Sequence, residues 1–221
     1  MYYNKFMLVA TNVLLGSDGM VKPQKDHNRC TSERILYAAI DLIADKGYKS
    51  VTTKEIAAVS QVSEMTVFRH FGNKRAILEK AIEKYSSISI EHVFSNLLQW
   101  ELQHDLLLIS RTYMSGMIRN DKVFLILIKE GTSLYELDHE ITKHPVQLQK
   151  SLSHYFRQME QKGKVISGDS DVQASAFMRM NLGTYATHLI HRRHETTVID
   201  EQQMEQLLLV NTQIFARGLT P

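Results

Sequence analysis

Cysteine is almost absent from this 221-residue sequence: Cys30 stands alone, so no internal disulfide framework can form. Proline is nearly as scarce. Of the three, Pro23 and Pro221 lie near the ends and only Pro145 interrupts the interior, where the ring would break a helix. No run reaches the roughly 18 apolar residues of a membrane span, and no useful stretch alternates polar with apolar residues as a half-buried strand would. Glycine-rich phosphate loops, a nucleophile elbow and a His-Glu-x-x-His pair are missing too, and the carboxylates are scattered as on exposed helix faces. There is no internal repeat or low-complexity tract. Together these absences argue against a stapled secreted domain, a membrane protein and an enzyme, and leave an all-α, cytoplasmic chain that needs no cofactor.

What is present is concentrated between Thr53 and Phe71, TKEIAAVSQVSEMTVFRHF. Thr52 has Glu55 three places later, the reciprocal capping box that opens a helix. Ile56, Ala57 and Val59 give that helix an apolar side, and the small Ala57 and Ala58 allow a second helix to cross closely. Ser60 and Gln61 fill a turn, and Val62 plugs its corner. Ser63 is a good N-cap for the second helix, whose Val67 and Phe71 lie four apart and face inward. The opposite side offers Glu64, Met65, Thr66, Arg69 and His70 where a recognition helix meets base edges and phosphates. With the flanking groups, the expected DNA contacts are Thr52, Thr53, Lys54, Ser63, Glu64, Met65, Thr66, Phe68, Arg69, His70 and Lys74. Residues 20–86 hold 12 Lys or Arg against 8 Asp or Glu, whereas residues 88–221 hold 13 against 15. The positive excess therefore sits with the reader, as phosphate contact requires.

A helix precedes this segment. Ile35, Ala39, Leu42 and Ile43 recur at helical spacing after Thr31 and Ser32, two candidate N-caps. Gly47 stops it by taking positive φ, and Tyr48 folds back on the core.

The residues Ile35, Ala38, Ala39, Leu42, Gly47, Thr52, Thr53, Ile56, Ala57, Val62 and Ser63, followed by Thr66, Phe68, His70, Phe71, Lys74 and Leu78, fall at the spacing of a known pattern. On them the chain resembles the TetR family of bacterial one-component transcription regulators. It departs at the turn, where Ser60-Gln61 replaces the usual Ala-Gly, and in the recognition helix, where Met65 replaces a frequent glycine. Gln61 must then accept whatever dihedral the turn demands, at about 1 kcal/mol if φ is positive. The resemblance implies an N-terminal three-helix helix-turn-helix DNA-binding domain at 29–73 and a C-terminal helical effector-binding and dimerisation domain at 74–221. Residues 1–28 read as a flexible extension, with Met20 an alternative start and the apolar stretch after Lys5 lacking a signal-peptide cleavage pattern.

Beyond Phe71 the periodicity predicts helices near 74–85, 91–103, 105–119, 121–130, 146–162, 170–193 and 200–217, with His139 and His144 in a loop ending at Pro145. The last two carry Ala174, Phe177, Met178, Asn181, Tyr185 and Leu189, then Met204, Leu207, Leu208, Asn211 and Phe215. Each has more apolar width than one neighbour covers, and the resemblance implies that they pair with their copies in a four-helix homodimer interface on palindromic double-stranded DNA. It also implies an apolar cavity for a small hydrophobic effector among the middle helices. Tyr113, Met117, Phe124, Phe177 and Tyr185 are the expected lining, although methionines and aromatics at helical spacing are more often ordinary core. Such an effector releases a repressor from its operator, with the helix after Asn73 as lever; control by a protein partner is the alternative. His188, His191 and His194 drift around their helix beside Arg192 and Arg193, so a solvated helix end explains them better than a metal site. Cys30 likewise reads as incidental rather than as a redox switch.

Overall fold

The computed structural model describes residues 30–85, 90–130, 138–193 and 200–221, with the backbone alone over 138–144 and 191–193. These residues form ten helices: α1 Thr31–Lys46, α2 Thr53–Val59, α3 Glu64–Phe71, α4 Lys74–Tyr85, α5 Glu91–Asn96, α6 Leu102–Arg119, α7 Asp121–Glu130, α8 Asp138–Gln161, α9 Ser170–Arg193 and α10 Glu201–Leu219. Among the described residues there is no strand, so the all-α expectation holds. The expected extension at 1–28 lies outside them.

The helices fall into two compact units. One contains α1 to α4, α7 and the first turns of α8; the other contains α5, α6, α8 from His144 onward, α9 and α10. In the first unit α1 is the centre, burying Ile35, Leu36, Ala39, Ile40 and Ile43 against α2, α4 and α7. Helix α4 buries Ile77, Leu78, Ala81 and Ile82, and it packs on α1, α3 and α7. The chain after Asn73, expected to open the second domain, therefore begins inside the reader's own unit.

Neither Thr31 nor Ser32 caps α1. Cys30 holds that position in extended backbone, its carbonyl accepting the Arg34 N–H at 3.2 Å, so the two hydroxyl residues fall inside the first turn. At the other end Gly47 has φ +84°, and a Cβ there would meet the Glu130 carboxylate at 3.0 Å. The dihedral demands glycine, and a Cβ would also require the Glu130 side chain to move by a few tenths of an ångström.

The second unit is held by α6 packing on α9 and α10, which also pack on each other. Arg111 grips Glu205 with two guanidinium nitrogens, and Phe215 lies edge-on to Phe177 with centroids 5.2 Å apart. Two boundaries differ from the periodicity. The helix expected over 91–103 stops at Asn96, and Trp100 sits at φ +60°. The Asp105 carboxylate accepts the Gln99 N–H at 2.9 Å, and the Lys164 ammonium donates to the Trp100 carbonyl at 2.7 Å. These partners satisfy the backbone groups that a continuous helix would have paired. Pro145 does not break the chain but lies inside α8, which forgoes the N–H bond to the Ile141 carbonyl and places the backbone of His139 and His144 in helix rather than loop.

The apolar faces of α9 and α10 are each covered only in part. Ala174, Phe177, Asn181, Tyr185 and Leu189, with Met204 and Leu208, are buried inside the unit. Leu207 from the expected face is exposed, as are Leu182 and Ile190 on α9 and Val210 and Ile214 on α10. A broad stripe on each helix has one edge in the core and the other in solvent.

Candidate DNA-reading surface

Helix α2 begins as its sequence requires. The Thr52 hydroxyl accepts the Glu55 N–H at 3.2 Å and the Glu55 carboxylate takes the Thr52 N–H at 2.9 Å, leaving few orphan donors at this end. Those bonds and the Lys46 ammonium at 3.0 Å hold the Glu55 carboxyl below its usual pKa. Ile56 and Ala57 are buried, whereas Val59, expected on the same side, is exposed. Only seven residues long, α2 turns one narrow face to α1 and α3, and Val59 lies off it.

The turn that follows is a Schellman arrangement: the Val62 N–H donates to the Ala57 carbonyl at 3.0 Å and the Gln61 N–H to that of Ala58 at 3.2 Å. This motif needs a left-handed residue where Gln61 stands, and Gln61 has φ +55°. Arg34 reaches across from α1 and donates to the carbonyls of Ser60, at 3.1 Å from Nε, and Gln61, at 3.0 Å from Nη2. No sequence pattern pointed to Arg34, because its partners are backbone atoms 26 and 27 residues away. Gln61→Gly is expected to raise unfolding free energy by about 0.5 to 1 kcal/mol in urea melts by removing the left-handed penalty. An unchanged or lowered midpoint would mean that the Gln61 side chain compensates.

Helix α3 is capped by Ser63, whose Oγ accepts the Thr66 N–H at 3.1 Å. Val67 is its buried anchor, and Lys54, Met65, Phe68, Arg69 and His70 are exposed around it. Four further expected contacts have intramolecular partners: the Thr53 hydroxyl donates to Glu64 at 2.7 Å, and the hydroxyls of Ser63 and Thr66 lie 2.9 Å apart.

Lys74, expected to reach a phosphate, has intramolecular partners in the free chain: its ammonium donates to the carbonyls of Tyr48 and Val51, each at 2.6 Å, and sits 4.3 Å from the centre of the Tyr48 ring. Partial burial lowers its pKa. It ties the segment before α2 to the start of α4. Lys74→Ala is expected to weaken binding to every DNA sequence alike and to cost about 1.5 to 3 kcal/mol of stability, the range for hydrogen bonds to a charged group. Fluorescence anisotropy on matched and scrambled duplexes, beside urea melts, measures both.

Of the residues expected around an effector, Tyr113, Met117, Phe177 and Tyr185 are buried in the second unit, with the Tyr185 hydroxyl donating to the Met117 carbonyl at 3.3 Å. Phe124 is buried on α7 in the other unit. A groove of about 500 Å³ opens elsewhere, between the α5–α6 segment and α8, lined by Phe94, Leu98, Trp100, Lys150, Ser151, His154, Tyr155 and Gln158. Trp100 stacks on Tyr155 at 5.9 Å and carries Lys162 at 4.7 Å from its ring.

Burial pushes the Tyr113 hydroxyl up to about 12. Folding thus favours its protonated form, so its share of stability is whole below about pH 10 and is lost as pH rises towards 12. The loss is about 1 kcal/mol by pH 11. Comparing urea melts of wild type and Tyr113→Phe at about pH 9 and about pH 11 isolates this share. No cluster of three His, Cys, Asp or Glu able to hold a metal occurs among the described residues; His194 lies outside them.

A capped three-helix arrangement with an exposed second helix after a tight turn defines a helix-turn-helix DNA-binding protein. The model of bacterial regulatory proteins of the tetR family matches residues 35–81. The Bacillus subtilis (strain 168) HTH-type transcriptional regulator YvkB, itself uncharacterized, is 31% identical over 192 residues, covering 87% of this chain and 98% of that one. The chain belongs to the TetR family of transcriptional regulators. Among solved structures, PfmR from Thermus thermophilus is similar with a TM-score of 0.66 at 18% identity over 85% of this chain and 100% of its own. AibR, solved with isovaleryl coenzyme A and operator DNA, is similar with a TM-score of 0.65 at 22% identity, over 84% of this chain and 97% of its own. Among the described residues no helix is long and apolar enough to cross a membrane.

Proposed function

We propose that this chain is a cytoplasmic, homodimeric repressor, without enzymatic activity, that binds a palindromic operator and is released from it by a small hydrophobic or amphipathic molecule. The observation that carries the DNA half is the exposed face of α3, where Met65, Phe68, Arg69 and His70 stand clear of the core on a helix whose N-terminus and preceding turn are tied down. Of the residues proposed to meet DNA, Thr53 with Glu64 and Ser63 with Thr66 shape the surface through their mutual bonds, Thr52 does so through its bonds with Glu55, and Lys54, Arg69 and His70 supply charge or hydrogen bonds.

The effector half is supported by AibR, whose structure holds an acyl-coenzyme A with DNA, and by the similar structure of a protein called the flavonoid-responsive regulator FrrA. In this chain the groove beside Trp100 is space already open, whereas Tyr113, Met117, Phe177 and Tyr185 become a lining only when the second unit parts. An effector must bind the DNA-incompetent state better than the competent one, or it shifts nothing. We assign the coupling to α4, which packs on α1, α3 and α7, at about 1 to 3 kcal/mol.

Thermal-shift screening of hydrophobic acids, acyl thioesters and flavonoids, repeated with operator duplex, tests this reading. A true effector raises the melting temperature of the free protein and releases the duplex. Trp100 is the only tryptophan, so quenching of its emission places a ligand in the groove. A chain that binds DNA and answers to no compound is instead one controlled by a protein partner or by its own abundance.

A further inference from the structure

Large apolar side chains stand exposed on the reading surface: Met65 is 75% accessible and Phe68 66%. Neither serves the core, which α3 reaches through Val67. With about 100° between successive residues, Met65 and Arg69 share the centre of the face opposite Val67 and Phe71, and Phe68 flanks them one turn on from Met65. The hydrogen-bonding side chains at this end of the helix are already engaged, Glu64 by the Thr53 hydroxyl and the Ser63 and Thr66 hydroxyls by each other. Phe68 has no hydroxyl with which to reach a phosphate. What faces outward is an apolar pair beside a guanidinium.

Major-groove edges are mostly hydrogen-bond donors and acceptors, and their apolar feature is the 5-methyl group of thymine. A side chain that makes no hydrogen bond to a base edge can still discriminate by covering that methyl, because cytosine carries only a hydrogen at the same carbon and the purines present N7, which would lose water without gaining a partner. The cations around the pair, Lys54, Arg69 and His70, suit the flanking phosphates and acceptor edges. Resting on the reading of this chain as a sequence-specific DNA regulator, we infer that Met65 and Phe68 each bury a thymine 5-methyl group. Every operator half-site then carries thymines beside the base pair that Arg69 contacts.

The test uses the full chain to enrich duplexes from a random-sequence library. The best-bound duplex is then resynthesised with deoxyuridine at each thymine in turn, which removes the methyl and keeps every hydrogen-bonding edge. At one or two thymines per half-site affinity is expected to fall about fourfold, equivalent to about 0.8 kcal/mol for one buried methylene-sized group. At the thymine that a side chain covers, Met65→Ala or Phe68→Ala protein should show no further loss on deoxyuridine substitution. Both residues are exposed, so circular dichroism melts of the variants should match wild type, and the deoxyuridine series on wild type stands without them. Indistinguishable affinity at every substituted thymine, a selected half-site lacking thymine, or losses that persist unchanged in both variants would each overturn the inference. Enrichment of no sequence at all would overturn the DNA-binding reading and the inference with it.

Discussion

A chain carrying Leu207→Glu and Ile214→Glu is expected to elute as a monomer and to lose about 100-fold or more of its affinity for a palindromic duplex. Leu207, Val210 and Ile214 are exposed on α10 at spacings of three and four, the repeat of a helix seam that packs on another helix. Leu182 and Ile190 extend the exposed apolar surface on α9, which packs beside it. Two carboxylates buried in the proposed dimer would each lose hydration without a cationic partner. The DNA loss follows from multivalency: when the second half-site is bound from the same dimer, avidity exceeds single-site affinity by about 100-fold or more, and a monomer forfeits it. Because both positions are exposed in the single chain, its own melting should change little. Size exclusion with light scattering reads the assembly and fluorescence anisotropy reads the binding. A variant that stays dimeric and binds normally would remove these helices from the interface.

Asp105→Ala is expected to cost about 3 kcal/mol of unfolding free energy, the scale for stranding the partners of a buried ionisable group. The carboxylate is fully buried. One oxygen accepts the Tyr155 hydroxyl at 3.0 Å; the other accepts the Gln99 N–H at 2.9 Å and faces His104 Nδ1 at 3.2 Å. Alanine leaves a buried phenol and a partly buried amide without an acceptor. It also removes the bond that fixes the segment holding Trp100 at φ +60°, a conformation costly for a bulky residue unless its surroundings enforce it. Emission from Trp100 should therefore shift to the red in the folded variant, before any unfolding. Asp105→Asn keeps one acceptor and should lose less. Urea melts followed by Trp100 fluorescence give both readouts, and a loss within about 0.5 kcal/mol for Asp105→Ala would show that water or a rearranged segment replaces the carboxylate.

Local chemistry made much of the reader legible. Thr52 and Glu55 announce a capping box because both halves of it lie within four residues, and the bonds are present at both ends. Gln61, standing where the pattern usually has glycine, marked the turn as the place of a costly dihedral without fixing its sign, and φ is +55°. The inward placement of Val67 follows from spacing alone. Lys74 and Arg34 were not legible in the same way. A lysine at a helix start and an arginine in a first turn look alike in sequence whether they face phosphate, water or a carbonyl; here their partners are 23 to 27 residues distant. Val59 failed for a related reason, since seven residues give a helix too few turns for periodicity to fix the edge of its buried face.

Sequence by itself determined what depends on neighbours along the chain: the all-α class, the helix-turn-helix, its caps and its turn, because caps, turns and periodicity act within a few residues. Tertiary structure alone decided which apolar edge of α9 and α10 is core and which is exposed. It decided that α5 ends before a strained Trp100, that α8 runs through Pro145, and that Lys74 turns inward. Each of these rests on an atom brought from elsewhere in the chain or on packing strong enough to override a local preference, and neither is written in the residues nearby.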